Sequence, residues 1–127
     1  MQVQRYAIAL AVDSSGNQTV YTPENITGRI LQIRYVVDAT SPLDTGADFT
    51  ITGAETGTAI LTITNIGTSS IAYAPRLATC GVTTTASLYA AGGTAVEDHI
   101  YIANEKVKVV VAQGGTSKVG TLYIIVG

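Results

Sequence analysis

The sequence predicts an all-β protein, an antiparallel β-sandwich of jelly-roll type with about eight strands and little or no helix. Val, Ile, Thr, Tyr and Phe together number 53 of the 127 residues, whereas Leu, Met, Glu and Lys together number 15. This balance favours strands over helices. Glycine and other turn-forming residues divide the chain into short apolar segments, as is typical of a sandwich or barrel. The length predicts a single domain, residues 1–127, that can bury a core without a disulfide or a metal.

The first third of the chain predicts a hairpin and then a long strand. Residues 3–12 and 18–22 are joined by a turn at residues 13–17, and we expect them to pair. Residues 29–37 alternate clearly. The expected core face of that strand consists of Leu31, Ile33, Tyr35 and Val37, with Gln32 and Arg34 on the wetter face.

The middle and the end of the chain predict two more hairpins. Phe49 and Ile51 alternate with polar residues, and residues 61–64 repeat this pattern after a glycine-containing loop. Residues 99–103 form a further short strand. The clearest hairpin joins the alternating valines of residues 107–111 to residues 119–126 through a turn at residues 113–117.

Residues 67–98 show neither a strand period nor a helical one. They predict a long irregular excursion, with one helical turn near residues 86–91. Loops of this kind are often the part of a small scaffold that makes its contacts.

The charge content argues against two classes of partner. Seven Lys and Arg against nine Asp and Glu give a net charge of −2, and no basic cluster exceeds Lys106 and Lys108. We therefore expect no nucleic-acid partner, because phosphate backbones need several cations on one surface. The apolar run at residues 7–12 is too short to span a bilayer, so we expect no membrane partner. Charged residues make up 13% of the chain, which suggests that a partner covers part of the surface.

One segment resembles a catalytic motif. Asp44-Thr45-Gly46 resembles the signature loop of retroviral-type aspartic proteases, small β-rich homodimers in which two such carboxylates share a proton and activate water. The segment lacks a preceding buried strand and a suitably spaced apolar-glycine segment after it. The alternative is a turn that leads into the strand at Phe49.

No other residue indicates catalysis. His99 is the single histidine and has no accompanying nucleophile motif, so we expect a half-buried residue at a strand edge. Cys80 is the single cysteine, which excludes an intramolecular disulfide, and we expect it to be a small buried hydrophobe. The sequence predicts a protein that is not an enzyme, with no catalytic, cofactor-binding or metal-binding residues and no cofactor.

Several segments resemble small structural proteins of tailed bacteriophages. The resemblance is carried by residues 90–96, 100–115 and 120–123, and upstream by residues 46–52 and 56–57. These are turn and strand motifs, and none of them encodes chemistry. The resemblance implies a virion component, and the size and β class are similar to those of capsid decoration (cement) proteins.

This resemblance implies partners and a location. Decoration proteins are made in the host bacterial cytoplasm and sit on the outer capsid surface as dimers or trimers. There they hold neighbouring subunits of the major capsid protein together. By hypothesis the contact uses residues 67–98 and the strand edge at residues 2–6, because an uncovered edge strand can pair with another chain. Two alternatives stay open: another virion component (a tail, head–tail or host-glycan-binding module), and the dimeric protease.

Overall fold

The computed structural model describes residues 2–127, which form ten β-strands joined by turns and loops. In chain order the strands are β1 (Gln4–Ala11), β2 (Gln18–Tyr21), β3 (Ile26–Val37), β4 (Asp48–Gly53), β5 (Ala59–Ile63), β6 (Ile71–Tyr73), β7 (Arg76–Ala78), β8 (Glu97–Glu105), β9 (Val107–Ala112) and β10 (Val119–Val126). Every pairing between these strands is antiparallel, and the described residues contain no helix. The prediction of an all-β antiparallel protein is confirmed.

The strands form two sheets. The larger sheet has the order β1-β10-β3-β8-β7, with β6 also paired to β3, and the smaller sheet has the order β2-β9-β4-β5. Apart from the three-residue strands β6 and β7, the chain pairs β1 with β10, β2 with β9, β3 with β8 and β4 with β5. One long antiparallel hairpin is thus rolled into two sheets, which is the arrangement of a jelly roll. The predicted sandwich is confirmed, and ten strands rather than about eight are present because residues 67–98 contribute β6 and β7.

One of the three predicted hairpins is confirmed, and the other two predictions are wrong. β4 and β5 pair with Phe49 opposite Ile63, as expected. β1 and β2 lie in different sheets, as do β9 and β10, so their connections cross between the sheets.

The physical reason is that a turn reverses the chain without deciding which sheet the next strand joins. In the β9–β10 connection, the Gly114 carbonyl accepts a hydrogen bond from the Asp44 backbone N–H (3.0 Å). The Lys118 carbonyl accepts one from the Val12 N–H (3.0 Å). These bonds tie the turn to two other connections, so it bridges the two sheets.

Side chains from both sheets meet in one core. The inward residues of β9, Val107, Val109 and Val111, are fully buried. Phe49 of the smaller sheet meets Tyr35 of the larger sheet edge to face, with ring centroids 5.4 Å apart. Each buried aliphatic or aromatic side chain contributes about 1.5–3 kcal/mol, so the alternating apolar residues are the main source of stability.

The predicted core face of β3 needs one correction. Ile33 and Tyr35 are buried and Val37 is half-buried, as expected, but Leu31 is also only half-buried. The register between β10 and β3 shifts at this point, so that Gln32 is opposite Ile125 and Ile30 is opposite Val126. This β-bulge turns Ile30 into the core in place of Leu31.

The excursion at residues 67–98 is more regular than predicted. It contains β6, β7 and the first two residues of β8, together with isolated bridges between Cys80 and Ala86 and between Leu88 and Ala95. The helical turn predicted near residues 86–91 is absent from the described chain. Hydrogen bonds between segments, rather than local helical bonds, satisfy the backbone there.

Candidate functional site

Residues 77–96, here called the arm, consist of the last two residues of β7 and the connection from β7 to β8. Three segments of the arm are joined in a closed cycle of backbone hydrogen bonds. The Thr79 N–H donates to the Val96 carbonyl (2.8 Å), the Val96 N–H to the Ser87 carbonyl (2.8 Å), and the Ser87 N–H to the Thr79 carbonyl (3.0 Å). The arm is therefore an ordered element, not a loose loop.

Two tight reversals complete the arm. The Gly81 N–H donates to the Thr85 carbonyl, and the Tyr89 N–H donates to the Thr94 carbonyl, both at 3.0 Å. Thr84, with a φ of 69°, adopts the left-handed conformation that the first reversal requires.

The side chains of the arm are neither buried nor charged. None of the twenty residues is buried, and none is Asp, Glu, Lys or Arg. The large apolar side chains among them are Leu77 (60% exposed), Val82 (105%), Leu88 (43%) and Tyr89 (74%). These four side chains are the apolar groups of the arm that contact with another macromolecule would bury.

Cys80 lies in the arm and is exposed, so the prediction of a buried cysteine is wrong. The physical reason is that its whole segment packs against no core. The sequence does contain a signal for the arm, because residues 77–96 form a run of twenty residues without Asp, Glu, Lys or Arg.

A polar cluster lies where the arm meets the larger sheet. The Arg76 Nη1 donates to the Nδ1 of His99 (3.1 Å). The same Nδ1 lies 3.4 Å from the Asp98 Oδ1. Because a guanidinium can only donate, Nδ1 accepts from Arg76 when it carries no proton and faces Asp98 as a donor when it is protonated. His99 is half-buried, as predicted, but β7 pairs with β8 at this residue, so it is not at an open edge.

Asp98 completes this cluster. Its Oδ1 accepts a hydrogen bond from the His99 backbone N–H (2.7 Å). This bond, supported by the nearby His99 and Arg76 side chains, lowers the pKa of Asp98 below its ordinary value. The cluster holds the register of β7 against β8, from which the arm extends.

The Asp44-Thr45-Gly46 segment lies in the β3–β4 connection. The Ala47 N–H donates to the Asp44 carbonyl (3.0 Å), which makes residues 44–47 a turn that leads into β4. Asp44 is exposed and lines an open depression of about 770 Å³, together with residues of the β1–β2 and β9–β10 connections such as Ser15 and Lys118. No second carboxylate from the described residues lines this depression. A shared-proton pair would therefore need a carboxylate from another copy of the chain.

Glu105, the last residue of β8, is a buried carboxylate that fastens the β4–β5 loop. Its Oε1 accepts hydrogen bonds from the backbone N–H groups of Glu55 (2.9 Å) and Thr56 (3.0 Å), and the Thr56 hydroxyl donates to Oε2 (3.0 Å). The Thr56 and Glu55 N–H groups lower the pKa of Glu105. All of its partners belong to one loop, so the role of this carboxylate is structural.

The N-terminal segment proposed as a contact lies at the edge of the larger sheet. β1 pairs with β10 on one side and with no strand of residues 2–127 on the other. Val3, which precedes β1, is 64% exposed. This edge has free backbone groups that another chain can pair with.

Two further observations bear on metals and membranes. Across residues 2–127, no group of three or more His, Cys, Asp or Glu side chains is placed to hold a metal ion. The described part of the chain also has no helix that qualifies as a membrane span.

Comparisons with known proteins identify no family. No protein-family model matches the chain, and no curated protein matches it. A crystal structure of FLHE aligns over 99% of this chain and 98% of that chain, with a TM-score of 0.45 and 8% sequence identity. Because that TM-score is below 0.5, the alignment carries no argument about fold or function.

Proposed function

We propose that the chain is a bacteriophage virion structural protein, and specifically a capsid decoration protein. In this role it binds the outer capsid surface and stabilises contacts between major capsid subunits, as a dimer or trimer. The observation that carries the proposal is the arm, which has twenty residues without a formal charge, none of them buried. The rest of the described chain, here called the body, contains every residue of the hydrophobic core.

In this proposal the body provides stability and the arm provides the contact with the capsid. The body is held together by the core between the sheets, to which the arm contributes no buried residue. Leu77, Val82 and Tyr89 gain burial only when a partner covers them, and each 100 Å² of apolar surface covered is worth about 2.5 kcal/mol before the costs of association. The jelly-roll arrangement occurs in viral capsid and lectin domains, so the fold is compatible with the role.

A capsid also makes weak contacts effective. An icosahedral shell offers the same site many times, and an oligomer that engages several sites gains avidity without new contacts. A small, uncharged arm is sufficient under these conditions. Its polar side chains are the hydroxyls of five Thr, Ser87 and Tyr89 and the thiol of Cys80, none of which carries a formal charge.

A second candidate is a host-glycan-binding module of the tail or the head–tail connection. Tyr89 (74% exposed) and Tyr101 (64%) favour it, because tyrosine rings offer an apolar face with a polar tip. A glycan array separates the candidates. A decoration protein gives no glycan signal, whereas a glycan-binding module gives a signal that Tyr89→Ser or Tyr101→Ser abolishes.

The proposal is tested by co-sedimentation of the purified chain with capsids of the phage that encodes it, after the resident copies have been removed. We expect saturable binding that Tyr89→Ser weakens. The matched control is Tyr21→Ser, which removes a 46% exposed tyrosine from the smaller sheet and leaves the arm intact. Absence of binding by the folded wild-type chain, or equal loss in both variants, contradicts the proposal.

A further inference from the structure

All four arginines of the chain lie on the outer face of the larger sheet. Successive side chains of a strand point to opposite faces, so an arginine next to a buried residue lies on the outer face. Arg34 lies between buried Ile33 and Tyr35, and Arg29 precedes buried Ile30. Arg5 has the parity opposite to that of the buried residues of β1, and Arg76 pairs with His99, the neighbour of buried Ile100.

None of these arginines pairs with a carboxylate within 4 Å in residues 2–127. Arg5 and Arg34, the two arginines nearest the middle of the face, contact neutral groups instead. The Arg5 guanidinium lies over the Tyr123 ring, 4.7 Å from its centroid, and the Arg34 Nε donates to the Gln32 side chain. The Arg29 Nε donates to the Gly127 carbonyl (3.2 Å). A guanidinium has five N–H donors, so most donors remain available for a partner.

Arg5, Tyr123 and Arg34 form the centre of this face. Arg34 is directly opposite Tyr123 across the β10–β3 pair, and Arg5 covers the Tyr123 ring from β1. The three strands β1, β10 and β3 contain no Asp or Glu. Their other outward side chains are small or neutral, such as Ala7, Ala9 and Thr121. On these three strands the charged residues are all arginines, within a chain whose net charge is −2.

We propose that this face docks a carboxylate-bearing protein surface, with Arg5 and Arg34 binding the carboxylates and Tyr123 packing between them. Guanidinium groups bind carboxylates through paired hydrogen bonds. Arginine and tyrosine are among the residues that dominate binding energy at protein interfaces. The arm extends from β7, at the opposite edge of the sheet from β1, so the two contact surfaces are separate. The inference does not depend on the proposed function.

Charge complementarity selects this partner over the others. A second copy docked centre to centre would place Arg5 and Arg34 against the same arginines, and β1, β3 and β10 offer no carboxylate to pair with them. The outward carboxylate of β8, Glu97, lies beside β7 at the far edge of the sheet from β1. A nucleic acid would meet two central arginines on a chain that is acidic overall, which is few cations for a phosphate backbone. An acidic protein surface needs only a few matched carboxylates.

The test is binding of the intact chain to immobilised poly-L-glutamate at about 20 mM salt. The Arg5→Glu/Arg34→Glu variant reverses the centre of the face, and the matched control, Lys106→Glu/Lys108→Glu, reverses two cations of the β8–β9 junction and smaller sheet. Both variants change the net charge from −2 to −6. We expect the arginine variant to lose at least about tenfold in affinity and the lysine variant to change by about twofold or less. Circular dichroism verifies that both variants fold.

Three results overturn the proposal. Equal loss in both variants means that binding follows net charge and not the face. Tighter binding to single-stranded DNA than to poly-L-glutamate, lost in the arginine variant, assigns the face to a nucleic acid. Self-association of the wild-type chain in sedimentation velocity, abolished by Arg5→Glu/Arg34→Glu, assigns it to a second copy.

Discussion

Deletion of residues 83–93 tests whether the arm is needed for capsid binding but not for folding. The hydrogen bond from the Thr79 N–H to the Val96 carbonyl lies outside the deleted segment, so it can still close the connection. The loop between these two residues is shortened from 16 residues to five. We expect a chain with an intact body that no longer binds capsids.

The magnitude follows from burial. The deletion removes no buried side chain, so it creates no cavity and loses almost no transfer free energy. Shortening the loop about threefold gains about 1 kcal/mol in closure entropy. The exposed hydrogen bonds that are lost contribute little beyond the cost of ordering the residues that make them. The free energy of unfolding is therefore expected to change by no more than about 1 kcal/mol, which for this chain length shifts Tm by about 5 °C or less.

Two assays decide the outcome. Thermal unfolding followed by circular dichroism measures Tm, and co-sedimentation with capsids measures binding. A fall in Tm of more than about 10 °C would show that the arm belongs to the folding unit, and the burial argument would then be wrong. Unchanged capsid binding by the deletion variant would refute the role given to the arm.

Three further predictions concern the body, and urea unfolding measures all of them. Phe49→Ala removes a fully buried ring from between the sheets and is expected to cost about 3–5 kcal/mol; a cost below about 1 kcal/mol would contradict the described core. Glu105→Gln is expected to be less stable than the wild type at pH 7. Because the folded-state pKa of Glu105 is lowered, its contribution to the free energy of unfolding is fully present above the ordinary pKa of 4.5 and is lost as pH falls through the lower folded-state value. The stability difference between the wild type and Glu105→Gln should therefore shrink in acid. A stability difference that grows in acid would contradict this sign. Gly115→Ala places a Cβ 2.7 Å from the Asp44 Cγ, whereas Gly57→Ala has the same kind of positive φ but no atom within 4 Å. Gly57→Ala is therefore expected to cost about 1–2 kcal/mol and Gly115→Ala more, with the excess relieved by adding Asp44→Ala; equal costs would contradict the described contact.

The sequence predicts the local structure of the body well and its pairing poorly. Alternation identifies β3, β4, β9 and β10, because the side-chain period of a strand is a local property. Sheet membership depends on distant partners. Gly114 bonds to Asp44 and Lys118 bonds to Val12, and no local pattern around residues 113–118 identifies these contacts.

The candidate surfaces differ in the same way. The arm lies within one continuous segment, so the predicted excursion at residues 67–98 includes it. No local pattern predicts its internal hydrogen bonds, and Cys80, predicted to be buried, is exposed. The arginine face joins residues 5, 29, 34 and 76, which come together only through the strand order of the larger sheet. In the sequence these arginines are scattered single charges, and the fold alone places them on one surface.

The most direct test of the central claim is quantitative mass spectrometry of density-purified phage particles, the virions to which the proposed function assigns this chain. The measured quantity is the number of copies of the chain per major capsid protein. The proposed decoration role predicts a ratio near one or a simple fraction of it, because a protein that covers the shell follows the shell's symmetry. A handful of copies per particle, or none, would contradict it.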